Sequence, residues 1–141
     1  MDRKTQVGFL VLLDFQFLHF VEQSATRFVK EFPWASMVEQ ALPGAIVPLF
    51  IVLNVGLIAI GLACYVLWVR PSHPAARTVV LVWIGIESAI AIATFIWAAS
   101  VGEYVSGLVT AFLLLGACVW LATRLPRSGP ADPPVMGPIG E

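Results

Sequence analysis

The chain has 141 residues, enough for one ordinary domain, and 59% of them are hydrophobic while only 12% are charged. A soluble domain carries about 25% charged residues, so this composition, with a mean hydropathy of +0.88, reads as a membrane protein whose partner is the bilayer. The formal net charge of −1 leaves no basic face for nucleic acid.

The N-terminus imitates a signal peptide, with Asp2-Arg3-Lys4 followed by the apolar run from Val7 to Leu13. Asp14, Gln16 and His19 break that run, and no small-residue cleavage pattern follows, so the segment is expected to stay and span. A spanning helix needs roughly 20 mostly apolar residues, and four stretches qualify: about 5–24, 45–69, 78–100 and 104–125. Helices are expected because a bilayer forces backbone groups to bond internally, and no barrel-like alternation is present. The predicted fold is an all-α, antiparallel bundle of four transmembrane helices occupying residues 1–125.

Between the first two spans, "ATRFVKEFPWASMVEQALPG" mixes charges with Phe28, Phe32, Trp34 and Met37, which suits a segment lying at the membrane interface. The second connection, "RPSHPAAR", is short and twice interrupted by proline, which predicts a tight turn. Residues 126–141 hold five prolines and three glycines, so a disordered tail is expected there. Arg3, Lys4, Arg70, Arg77, Arg124 and Arg127 fall on one side of the four spans, and only Arg27 and Lys30 on the other. The positive-inside rule then places both termini in the cytoplasm of a multi-pass protein of the inner (cytoplasmic) membrane. Cys64 and Cys118 sit in apolar runs without a second ligand at metal spacing and read as reduced packing residues.

The first span is polar where it should not be. In "LLDFQFLHFVEQ", at about 100° per residue with Asp14 at zero, Glu22, His19, Gln23 and Gln16 fall within a stripe of about 120°. Such a stripe faces protein, and an intramembrane ionisable group costs about 2.5–3.5 kcal/mol at mid-helix unless something compensates. His19 and Glu22, three residues apart, can hydrogen-bond along the helix or bind a third group together. Asp14 stands apart, either as a second buried acid or facing a water-filled vestibule. Glu87 lies about ten residues from either end of the third span, too deep to reach water, on a face shared with Ala91, Thr94 and Ala98. Asn54, on a face with Gly61, Tyr65 and Trp68, reads first as an interhelical hydrogen bond. At about 1.5 Å per residue, His19, Asn54 and Glu87 come within side-chain reach of one level, which predicts a single polar pocket of His19, Glu22, Gln23, Asn54 and Glu87, with Gln16 beside it.

The motif "HFVEQ" with its following "FPW" resembles the integral-membrane HXXEE family, whose signature is a histidine and two adjacent acids at the end of a first membrane helix. The likeness extends to "FIVLNVGLIAI" and to "YVSGLVTAFLLL", which is similar to the family's tyrosine-to-glycine entry into its last helix. It assigns the histidine to His19 and the first acid to Glu22; the second acid is here Gln23, and Glu87 stands where the family tends to place a histidine. The resemblance implies a bacterial-type four-helix membrane protein with a functional His/Glu site. A more distant likeness to the emopamil-binding, sterol-isomerase-like membrane proteins is an analogy of fold and residue type.

Three functional readings are open at this stage. In the first, a membrane-embedded enzyme acts on a lipid-soluble small molecule, with Glu87 or Glu22 as general acid, His19 exchanging the proton, and Gln16, Gln23 and Asn54 binding substrate. A metal held by His19, Glu22 and Glu87 is a variant of it. The second is a small proton- or cation-coupled carrier or channel-like protein. The third is a structural membrane protein whose polar groups only fix helix packing.

Overall fold

The computed structural model describes residues 1–26, 28–31 and 35–125. The predicted tail, the "FPW" triplet, Arg27 and Arg127 lie outside the described residues. Among those described, every regular element is helical: α1 (Arg3–Ala25), α2 (Phe28–Glu31), α3 (Ala35–Ala41), α4 (Ile46–Cys64) continued by a π-helical turn (Tyr65–Val69), α5 (Ala76–Val101) and α6 (Leu108–Arg124). Two of the helices, Ile46–Val69 and Ala76–Val101, are long and apolar enough to cross a membrane.

Local chemistry sets the boundaries. Asp2 caps α1, accepting the Thr5 amide at 3.1 Å and also the Thr5 hydroxyl, which supplies a partner to a first-turn N–H. Those two bonds, the hydroxyl's foremost, hold the Asp2 carboxyl below its usual range. At its other end α5 stops at Gly102, whose left-handed φ of 73° suits a glycine C-cap. The described part of the segment expected to lie at the interface holds the short helices α2 and α3, and every residue of α3 is at least partly exposed. The last helix begins four residues later than the apolar run, because 104–107 are not helical and end in a turn on Gly107.

Helix α6 is the central strut. It packs along both α1 and α5, made possible on the α1 side by Gly8, where a Cβ would lie 2.4 Å from the Trp120 ring. At one end of the bundle Phe9, Leu12, Leu13, Val69, Val80, Trp83, Cys118, Leu121 and Leu125 form one core, with Phe9 edge-on to Trp83 at 6.1 Å between ring centroids. A smaller cluster of Ala91, Ala111 and Leu114, joined by Phe15 and Phe95, lies further along. Cys118 is buried in the larger core and both cysteines are free thiols.

The connections bring the charges into register. Gln6 donates to the Arg70 carbonyl at 3.1 Å and Ser72 to the Met1 carbonyl at 3.3 Å. The start of α1, the α4–α5 turn and the end of α6 thus share one end of the bundle, and with them Arg3, Lys4, Arg70, Arg77 and Arg124.

Helix α4 is held loosely. Of its residues only Gly61 is buried, pressed against Leu13 and Trp83; a Cβ there would sit 2.5 Å from Leu13 Cδ2 and 2.9 Å from Trp83 Cζ2. Its remaining surface is apolar all round, a pattern that belongs in a bilayer or against another protein and not in water. Gly61→Ala is expected to destabilise the fold by about 1–3 kcal/mol through overpacking, read as a lower unfolding midpoint in detergent. Gly56→Ala, on the same helix with nothing within 4 Å of the added carbon, should leave the midpoint unchanged.

Candidate functional site

The N-terminus of α6 has a defect that α1 repairs. Its N-cap is Gly107, at φ 90°, which has no side chain to accept the first free N–H groups. The carboxylate of Glu22 does so from the neighbouring helix. Its Oε2 accepts the Thr110 amide at 2.8 Å and the Thr110 hydroxyl at 2.6 Å; its Oε1 accepts the Val109 amide at 3.2 Å and the Tyr104 hydroxyl at 2.5 Å. Four donors and the positive end of a helix converge on one carboxylate, an arrangement that suits the charged form.

His19 extends this network inward. Its Nδ1 lies 2.8 Å from Thr110 Oγ1, and its Nε2 lies 3.0 Å from Gln23 Nε2. The donors and acceptors settle into one order. Thr110 gives its hydroxyl proton to Glu22, so its oxygen accepts from His19 Nδ1–H, which leaves Nε2 as the acceptor for the Gln23 amide. His19 is then a neutral imidazole in the Nδ1–H tautomer. The fit is tight: a Cβ on Gly107 would meet His19 Cε1 at 2.6 Å and Gln23 Cγ at 3.0 Å. Of the two arrangements open to them, His19 and Glu22 adopt the second: they do not bond each other along the helix but both bind a third group, Thr110.

A second polar group lies deeper and has no hydrogen-bond partner among the described residues. Glu87 is fully buried, and neither of its carboxyl oxygens has a hydrogen-bond partner. The Gln16 side chain is 3% exposed and both its polar atoms are likewise unpartnered. Trp83, one turn from Glu87 on α5, adds an unpartnered indole N–H. Phe15, next to Gln16, and Ala91, one turn beyond Glu87, pack into the same cluster, so the groups from α1 and α5 stand at one level of the bundle. Thr94, on the same face, is satisfied by the Ile90 carbonyl at 3.0 Å.

The predicted single pocket is therefore two places. His19, Glu22 and Gln23 come together near the end of α1; Gln16 and Glu87 lie further in, with no hydrogen bond linking the two groups. Asn54 joins neither: its amide donates to the Phe50 carbonyl of its own helix at 2.9 Å. That corrects the expected interhelical bond, and the reason is that the loosely packed α4 brings no acceptor nearer than its own backbone. Asp14 is exposed on the outside of α1, so of the two alternatives it is not the buried acid. Among the described residues no three His, Cys, Asp or Glu side chains are grouped to hold a metal, and His19, Glu22 and Glu87 do not form a ligand set.

Sequence reasoning took Tyr104 only as an interfacial residue at the entry to the last helix, and passed over Thr110 and Trp83. The signal for the first two was present: a helix start reading "SGLVT" has glycine at the cap and no Ser, Thr, Asp or Asn there, so its amides need an acceptor from elsewhere. No protein-family model, curated protein or solved structure matches this chain.

The hydrogen-bond order is open to direct measurement. The ¹⁵N spectrum of the His19 imidazole at neutral pH is expected to show a protonated Nδ1 and an unprotonated, hydrogen-bonded Nε2. A doubly protonated ring, or the Nε2–H tautomer, would contradict the assignment and turn the Gln23 amide the other way round.

Proposed function

We propose that this chain is a four-helix integral membrane protein of the cytoplasmic membrane, both termini inside, that performs acid/base chemistry on a lipid-soluble molecule at Glu87. The observation that carries this reading is the Glu87 carboxyl, buried at mid-helix with both oxygens unpartnered. Buried polar groups are almost always hydrogen-bonded, and an unpaired carboxyl is among the costliest groups to bury. A fold that keeps one, level with an equally unpartnered Gln16, has left hydrogen-bonding capacity for a ligand. A carboxyl in water-excluded surroundings is also the kind of group enzymes use as general acid or base.

Roles follow from what each residue has free. Glu87 is the group that gives or takes a proton. Gln16 offers a donor pair and an acceptor to orient the polar part of a substrate, and the Trp83 indole adds one donor. Glu22, His19 and Gln23 spend their polar atoms on one another and on α6, so they hold the helices that carry the inner groups. The resemblance to the HXXEE family supports a role for His19 and Glu22, and the gathering of cations at one end supports the orientation.

A second reading, a proton-coupled carrier, draws on the chain from Gln23 through His19 and Thr110 to Glu22. Its groups form one continuous hydrogen-bonded network where the end of α1 meets the start of α6.

Glu87→Leu separates a working group from a structural one. Replacing an unsatisfied buried polar group by an apolar one of similar size is neutral or stabilising, so the variant should unfold at the same or a higher temperature than wild type. Both Glu87→Leu and Glu87→Gln should abolish any mass change that the wild-type protein produces in membrane lipid extract, read by mass spectrometry. A loss of about 2 kcal/mol or more in Glu87→Leu, the cost of breaking a satisfied buried bond, would show that Glu87 holds the fold together and would overturn the proposal.

A further inference from the structure

Asp14 is an acid that neither polar group uses. It occupies the midpoint of the 23-residue α1, eleven residues from Arg3 and eleven from Ala25. Its side chain is exposed, and it has no hydrogen bond among the described residues. An aspartate is too short to reach water from mid-helix. Ionisable groups inside a membrane face protein or a water-filled cavity, at a cost of about 2.5–3.5 kcal/mol when they do not. If α1 spans the bilayer, as proposed above, the face that carries Asp14 is covered by something.

The residues around Asp14 indicate what covers it. Val7, Val11, Leu18 and Val21 are 39–50% exposed, and with Asp14 they are spaced four, three, four and three residues apart. At 100° per residue they fall within an arc of about 80°. Alternating steps of three and four are the seam of two helices packed side by side in a left-handed crossing, in which one polar residue fixes register. Beside the seam an open groove of about 480 Å³ runs between α1 and α6. Its floor includes Gly116, where an added carbon would find nothing within 4 Å, so a neighbouring helix can approach closely.

Identical chains insert the same way up, so two copies of α1 pack in parallel about a two-fold axis along the membrane normal, and each residue on the seam meets its own counterpart. Asp14 then meets Asp14. Two carboxyls at one site in the membrane do not both carry charge; with both protonated, each O–H donates to the other's carbonyl oxygen, which pairs them without a cation. The described cations of this chain lie toward the ends of the bundle and cannot serve. We propose that α1 is the interface of a parallel homodimer in which Asp14 hydrogen-bonds to the partner's Asp14 at mid-membrane.

The test is oxidative cysteine cross-linking of the full chain in the membranes of the cells that express it. Val11→Cys and Leu18→Cys should give at least tenfold more covalent dimer than the wild type, whose Cys64 and Cys118 remain as background. They should also exceed Val82→Cys, a still more exposed position on α5. Adding Asp14→Asn should preserve cross-linking, since two amides can pair, whereas Asp14→Lys should cut it at least tenfold. Yields no greater than those of Val82→Cys would overturn the dimer, and so would cross-linking to a different protein only. A membrane-impermeant maleimide separates this from failure of the membrane reading. Ready labelling of Val11→Cys and Leu18→Cys would mean that α1 does not span, and resistance without cross-linking would refute the dimer alone.

Discussion

The carboxylate of Glu22 sits on the bare N-terminus of α6, and the arrangement of the whole bundle follows from that contact. Helix α6 begins at a glycine and so has no side-chain cap of its own, leaving its first amides without an acceptor within the helix. Glu22 supplies an acceptor for two of them, for the Thr110 hydroxyl and for Tyr104. This fixes the end of α1 against the start of α6, while Gly8 lets the opposite ends close on Trp120 and Leu121. With α1 and α6 locked at both ends, and α5 packed along α6, the distance across the interior is set.

The two polar groups differ in what they have left to give. Around His19 every ring nitrogen and carboxylate oxygen has a partner, and Gly107 closes against the ring, so the network acts as a clasp. Among the described residues the side-chain polar atoms of Glu87 and Gln16 have no hydrogen-bond partner. A satisfied network rigidifies a fold, whereas an unsatisfied one lowers its stability. The satisfied network lies where the end of α1 meets the start of α6, and the unpartnered groups lie one to two turns further in. Helix α4, anchored through Gly61 and ending in a π-helical turn, covers the bundle without adding a polar group to it.

Much of this was legible in the residues. The apolar runs located all the long helices to within a few residues, because a helix interior free of glycine clusters and proline pairs leaves few other options. The stripe of Gln16, His19, Glu22 and Gln23 was also readable, since the helical repeat alone decides which residues share a face, and all but the partly exposed Glu22 are buried. What could not be read was the partner of that stripe. Glu87 was expected to meet His19, but α1 and α5 run parallel and place Glu87 nearer the level of Phe15 and Gln16, a register that depends on how Phe9 meets Trp83. The true partner, Thr110, is an ordinary residue in an apolar run and carries no signal unless the uncapped start of α6 is noticed. Asn54 misled for the opposite reason: a lone membrane asparagine suggests an interhelical bond, yet α4 is packed too loosely to offer one.

The central claim is that Glu22 and Thr110 hold α1 to α6 as a coupled unit, and a double-mutant cycle measures this directly. Unfolding free energies in detergent would be compared for wild type, Glu22→Gln, Thr110→Val and the double variant. Residues sharing one hydrogen-bond network show coupling of about 0.5–3 kcal/mol, and a value of at least about 1 kcal/mol is expected here because two of the four bonds to Glu22 come from Thr110. Additive losses, with coupling indistinguishable from zero, would contradict the account.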